Sequence, residues 1–115
     1  MSRFSYRVGR FSGVHVWPVL GVPRGTLDLS FTPGRTNNGK VIETHFFEHP
    51  SAYGFGWFVS SNDDARVLEH GGDWSGYRTH MIRVPSRQLT AIVLTNSSNS
   101  DVTRIAHRMI EIARN

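Results

Sequence analysis

The 115-residue sequence contains no cysteine, a single lysine and no long apolar run. Without cysteine, the chain has no disulfide framework, no thiol nucleophile and no cysteine-ligated zinc or iron–sulfur site. No stretch approaches the length of about eighteen apolar residues that suggests a membrane span, and residues 1–10 do not resemble a signal peptide. We therefore expect a cytoplasmic chain without a membrane partner, unless a signal segment precedes this sequence.

The charge balance is basic but dispersed. The formal net charge is +4, and all thirteen basic residues except Lys40 are arginine. A surface that tracks phosphates usually shows basic residues clustered on one face, together with a recognisable binding module. Neither is evident here, so the arginines are interpreted as solvated surface residues and no nucleic-acid partner is expected.

The length permits one domain with a single core. The first 26 residues carry little pattern, because Pro18 and Pro23 interrupt the apolar run of residues 13–25, which predicts an irregular connection or one short strand. Turn signals follow at Pro33-Gly34 and Asn38-Gly39. We therefore treat residues 1–26 as a poorly defined N-terminal segment and residues 27–115 as the domain.

Four strands are predicted from Tyr53 onward, at residues 53–60, 66–72, 77–84 and 88–96. In the first of them the aromatic residues alternate with Gly54 and Gly56, which would leave a smooth face that another backbone could approach closely. These aromatics at strand spacing indicate core packing more than ligand stacking. The fourth strand is apolar on both faces, as a central strand requires, and the short connections favour antiparallel pairing.

A C-terminal helix is predicted after the polar segment 96–100 and Asp101, which offer capping groups for its first turn. Its apolar stripe recurs every three or four residues and consists of Val102, Ile105, Ala106, Met109, Ile110 and Ala113. The predicted fold class is therefore α+β, with an antiparallel sheet of about four strands and a C-terminal helix packed on one face.

The segment His70-Gly71-Gly72-Asp73 places two glycines within a predicted strand. Each glycine weakens a strand by about 0.5–1 kcal/mol relative to alanine. In return, a ligand could lie flat against backbone N–H groups beside an imidazole that exchanges protons near neutral pH. This combination suits acyl transfer, in which backbone N–H groups stabilise an oxyanion.

The ordered series "YGFGWFV", "HGGDWSGYRTHMIRVP", "LTAIVLTN" and a closing helix resembles the C-terminal part of the serine β-lactamase-like family. That family includes class C β-lactamases, penicillin-binding DD-peptidases and related esterases, and its members carry a K-T-G or H-x-G motif on a strand. The resemblance implies a β-lactamase/transpeptidase-like fold. It also implies that His70 faces the active-site cleft, that Gly71 and Gly72 leave room for a substrate, and that the Asp73 backbone N–H is an oxyanion donor.

The family's nucleophile motif S-x-x-K does not occur in this sequence, because position 37, three residues before Lys40, is Asn37. Ser60-Ser61-Asn62 spells the second motif, S-x-N, but we interpret it as a hairpin turn. We therefore expect a C-terminal fragment of a serine hydrolase that acts on a lactam, peptide or ester. Alone it should be inactive, because the nucleophile would lie in a missing N-terminal part. No cofactor is expected.

An alternative function is association without catalysis, with a separately encoded half or with a second copy of the chain. The predicted strands and helix would meet further elements in the whole family fold, so an isolated chain should expose apolar surface and a sheet edge.

A metal site is the other chemical alternative. Residues 45–49 spell H-x-x-E-H, which on a helix could direct His45 and His49 to one zinc ion. Since Pro50 follows at once, a loop with aromatic anchors and no metal is predicted instead. His80 is predicted to be a packed or surface histidine and not a catalytic one.

Overall fold

The computed structural model describes residues 4–10, 21–47 and 49–114. Within these ranges the helices are α1 (Arg24–Ser30) and α2 (Val102–Arg114), and a short 3₁₀ turn spans Pro85–Arg87. The strands are β1 (Phe4–Arg10), β2 (Glu43–Thr44), β3 (Ser51–Tyr53), β4 (Phe58–Asn62), β5 (Ala65–Trp74), β6 (Tyr77–Val84) and β7 (Leu89–Thr95).

These seven described strands form one antiparallel sheet in the order β1-β7-β6-β5-β4-β3-β2. From β2 to β7 the sheet is a meander, because each strand pairs with the next one along the chain. The strand β7 lies between β1 and β6, which agrees with its apolar residues on both faces. The antiparallel sheet and its C-terminal helix confirm the predicted fold class, although the strand count exceeds the expected four.

The first predicted strand, residues 53–60, is wrong as a continuous element. The chain turns between β3 and β4, with Gly56 at φ +75° and a hydrogen bond of 2.8 Å from the Gly54 amide to the Trp57 carbonyl. The expected close backbone approach does occur at Gly54. A Cβ there would lie 2.9 Å from the Thr32 carbonyl oxygen, so this turn packs directly on the chain that follows α1.

The turn between β4 and β5 consists of Asp63 and Asp64, which both have positive φ. A two-residue hairpin of type I′ requires this conformation, and aspartate tolerates it better than most residues. The interpretation of Ser60-Ser61-Asn62 as a hairpin turn is therefore wrong. These residues form the last part of β4, and the turn follows directly after them.

Helix α2 begins where Asp101 caps it, since the Asp101 carboxylate accepts a 3.0 Å hydrogen bond from the Arg104 amide. Its apolar stripe packs on the sheet face formed by β5, β6 and β7. The buried hydrophobic cluster between them comprises Ala65, Val67, Ile82, Val84, Leu89, Ala91, Val93, Val102, Ala106 and Ile110. Among the described residues, this cluster forms the core between the sheet and α2.

Two elements at the N-terminal side were not predicted. The strand β1 pairs with β7 over the register Phe4–Thr95 to Arg10–Leu89, and the helix α1 spans residues 24–30. The prediction for residues 13–25 falls mostly outside the described residues. The boundary between residues 26 and 27 lies inside α1, and the division into segment and domain stays a prediction. Neither helix of the described ranges is long and apolar enough to cross a membrane.

Candidate active-site strand and a buried carboxylate

The strand β5 presents two different groups of polar residues on its two faces. Cross-strand partners share a face in an antiparallel sheet, so Glu69 lies with Ile82 and Ala91 on the face that α2 covers. His70 lies on the opposite face with Met81 and Ile92. The consecutive residues Glu69 and His70 therefore lie on opposite faces of β5. The carboxylate is inside the core, and the histidine is accessible to solvent.

His70 is exposed. Its Nε2 lies 3.4 Å from the hydroxyl of Tyr53, at the end of β3, and its ring is tilted against Phe58 at a centroid distance of 5.8 Å. One side of the imidazole is thus supported by aromatic residues. Tyr53 supplies a hydroxyl within hydrogen-bonding distance.

The backbone of His70 to Trp74 forms an open sheet edge among the described residues. The strand β4 pairs with β5 from Ala65 to Glu69, whereas the pairing of β5 with β6 continues to Trp74. Residues 70–74 therefore have a strand neighbour on one side alone. Such an edge can accept an extended ligand through main-chain hydrogen bonds.

Both glycines of the motif have specific neighbours. A Cβ on Gly71 would lie 3.3 Å from the His80 Nδ1 atom, and one on Gly72 would lie 2.7 Å from the Thr79 Oγ1 atom. The missing side chains therefore make room for His80 and Thr79 of β6. Asp73, which is exposed, forms an ion pair with Arg78 directly across the hairpin at 3.1 Å.

Glu69 is the main polar feature of the covered face, and its side chain has no solvent exposure. Three imidazole nitrogens surround the carboxylate. The Nε2 of His49 lies 2.9 Å from Oε1, while those of His80 and His107 lie 3.0 and 2.8 Å from Oε2. His80 is buried, in agreement with its prediction as a packed residue, and His49 and His107 are about one-third exposed at 35% and 32%.

The pKa of Glu69 results from opposing effects. Burial by itself raises this pKa, but hydrogen bonds from His107 and His80 and the positive charges of His107 and His49 outweigh it. The net result lowers the pKa from 4.5 to about 2. The carboxylate is therefore ionised within the core at neutral pH, which is tolerated because it is paired and hydrogen-bonded.

The H-x-x-E-H pattern does not form the helical zinc motif, because the described residues around it are not helical. Residues 45–47, 49 and 50 form a loop in which Phe47 packs on Phe58 and His80, as predicted for aromatic anchors. Sequence reasoning missed the Glu69 cluster. A signal existed, since the alternation Ala65, Val67, Glu69 places a carboxylate at a core position, and such a charge needs partners.

The fold is an antiparallel sheet with a helix across one face, and His70 lies on the opposite face. In agreement with this, a family model described as Beta-lactamase matches residues 23–114. The chain therefore belongs to the Beta-lactamase family.

Two further proteins are similar to this chain. Penicillin-binding protein 4* of Bacillus subtilis (strain 168) is 36% identical over 76 residues, which are 65% of this chain and 15% of that protein. An octameric penicillin-binding protein homologue from Pyrococcus abyssi has a similar fold, with a TM-score of 0.68 at 19% identity. That likeness covers 80% of this chain and 20% of the homologue, so the chain spans a fifth or less of each.

Proposed function

We propose that this chain forms one wall of a serine-dependent acyl-transfer site, of the kind that opens a lactam, a peptide or an ester. His70 exchanges a proton near the reacting groups, Gly71 and Gly72 contact the substrate backbone, and the Asp73 backbone N–H stabilises the oxyanion. The serine nucleophile comes from polypeptide beyond this sequence. The chain by itself is then inactive, because covalent catalysis needs the nucleophile and its base within hydrogen-bonding reach.

The open edge at residues 70–74 is the observation that carries this proposal. A substrate that pairs with this edge would be held in an extended conformation beside the exposed imidazole of His70. Membership of the Beta-lactamase family supports acyl transfer as the reaction class. This reaction needs oxyanion donors and a proton carrier that are in place before the substrate binds, and the backbone of residues 71–73 and the His70 imidazole would fill these roles.

A chimera tests the proposal. The segment of penicillin-binding protein 4* that aligns with this chain is replaced by the corresponding residues of this chain, and covalent labelling by a fluorescent penicillin is measured. We expect the chimera to be labelled. His70→Leu in the chimera should slow labelling by about a hundredfold or more, because a proton-transferring side chain contributes on that order.

Arg66→Ala provides the matched control, because Arg66 is an exposed residue of the same strand outside the proposed site. This variant should label at the rate of the unchanged chimera. A folded chimera that is not labelled, or equal rates with and without His70, would overturn the proposal. The unfused chain should show no turnover of nitrocefin or p-nitrophenyl esters.

Association with another half or with a second copy is the other candidate function. Leu94 is 50% exposed on the His70 face, and Trp74 and Tyr77 are 81% and 60% exposed at the end of the β5–β6 hairpin. A covering partner would remove this apolar surface from water. The homologue from Pyrococcus abyssi is octameric, which supports self-association. Light scattering coupled to size-exclusion chromatography tests it, and a monomer at all concentrations would contradict self-association.

A further inference from the structure

We propose that His49, Glu69 and His107 bind a divalent transition-metal ion, with Zn²⁺ as the preferred occupant. This site lies on the face of β5 opposite to His70 and is independent of the acyl-transfer site. It would connect the loop before β3, the strand β5 and the helix α2.

The donor atoms are already gathered. One ligand atom from each of His49, Glu69 and His107 lies within 4.8 Å of the others. Tetrahedral zinc with bonds of about 2.1 Å requires ligand atoms about 3.4 Å apart, so small side-chain rotations suffice to enclose the ion. Two imidazoles and one carboxylate form a donor set that suits zinc and its neighbours in the first transition series, whereas magnesium and calcium prefer oxygen donors alone.

His80 supports the site without binding the ion. Its Nε2 lies 3.0 Å from the Glu69 Oε2 atom, and its Nδ1 lies 3.4 Å from the Thr103 hydroxyl. A ligating carboxylate is normally oriented by such a hydrogen bond. Glu69 can therefore give one oxygen to the metal while the other keeps its contact with His80.

Solvent reaches the donors from one side. His49 and His107 line a cleft of about 340 Å³, whose walls also include Ser60, Asn62 and Glu111. An ion can enter from this cleft without unfolding of the core, and a water molecule can complete its coordination. The partial exposure of His49 and His107 agrees with such a path.

The experiment uses the full chain, purified without a histidine tag and treated with EDTA. Zinc content after equilibrium dialysis against buffered Zn²⁺ should reach one ion per chain. His49→Gln and His107→Gln should each weaken zinc binding by about tenfold or more. His45→Gln is the matched control, because this exposed histidine lies four residues before His49 outside the cluster, and it should bind like the original chain.

Spectroscopy on the unaltered chain keeps the proposal testable if a variant fails to fold. Co²⁺ should give the intense visible bands of a four-coordinate ion, and imidazole ¹⁵N resonances of His49 and His107 should shift on zinc binding while those of His45 and His70 do not. Substoichiometric zinc, His49 and His107 variants that bind zinc as tightly as the original chain, or shifts at His45 or His70 would overturn the proposal.

Discussion

Gly71 and His80 lie opposite each other across β5 and β6, and the His80 Nδ1 atom is 3.3 Å from the position of a Cβ on Gly71. Gly71, the middle residue of the H-x-G motif, therefore leaves room for the His80 ring that orients Glu69. The same three-residue motif therefore affects both faces of β5. It carries the exposed His70 on one face, and on the other its Gly71 leaves space for the buried His80.

Gly71→Ala should lower the free energy of unfolding by about 1–3 kcal/mol, because the added methyl group presses on an imidazole held in a packed core. Chemical denaturation measures the change. Gly25→Ala is the matched control, since a Cβ on Gly25 in α1 meets no atom within 4 Å and alanine is the better helix former. The control should be neutral or slightly stabilising, and equal losses in both variants would contradict the explanation.

Acid should destabilise the metal-free protein through Glu69. Its pKa is lowered in the folded state, so its contribution is complete above the ordinary pKa of 4.5 and is lost as the pH falls toward 2. The difference corresponds to about 3 kcal/mol. Urea denaturation of the metal-free protein between about pH 5 and about pH 2 should show that loss in the unaltered chain and a flatter profile in Glu69→Gln.

Glu111→Gln is the control for this acid effect, because Glu111 is an exposed residue paired with Arg108 on the surface of α2. Its profile should follow that of the unaltered chain. The ¹³C resonance of the Glu69 carboxyl group gives a direct check without any variant. A titration midpoint near 4.5 would contradict the assigned effect of the histidines.

The elements with a regular pattern were predictable from the sequence. The strands β5, β6 and β7 and the helix α2 follow from apolar alternation and from a stripe at helical spacing. The turn between β3 and β4 was missed because Gly54 and Gly56 fit a strand face as well as a turn, and tertiary packing against Thr32 decides between them. The strand β1 was also missed. Its sequence alternates Phe4, Tyr6 and Val8 with polar residues and glycine, but its partner β7 is distant in sequence, so no local hairpin signal marks the pairing.

The two candidate sites also differ in how far the sequence alone could identify them. His70 to Asp73 are consecutive, so a local motif identified them before the fold was known. The residues around Glu69 come from positions 49, 80 and 107, and no spacing rule relates them. They meet only because the meander places β6 beside β5 and because α2 returns across that face.

The packing of α2 can be measured by two isoleucines on one helix. Ile110 is 5% exposed within the core, whereas Ile112 is 62% exposed. Ile110→Ala should lower the free energy of unfolding by about 2–4 kcal/mol, through lost burial and a residual cavity. Ile112→Ala should change it by about 0.5 kcal/mol at most. Similar losses at both positions would mean that α2 does not pack on the sheet by the predicted stripe.

The hairpin between β4 and β5 offers a stabilising change. Asp64 has φ +58° in a two-residue turn, and glycine adopts this conformation without the steric cost of a Cβ. Asp64→Gly should therefore raise the free energy of unfolding by about 0.5–1 kcal/mol in thermal or urea denaturation. Asp63 remains in place, so its ion pair with Arg114 at the end of α2 is preserved.

Asp64→Ala is the control for this turn, because it removes the same charge but keeps a Cβ at positive φ. This variant should be neutral or destabilising. If alanine stabilised the protein as much as glycine, the gain would come from removal of the carboxylate and not from the turn geometry.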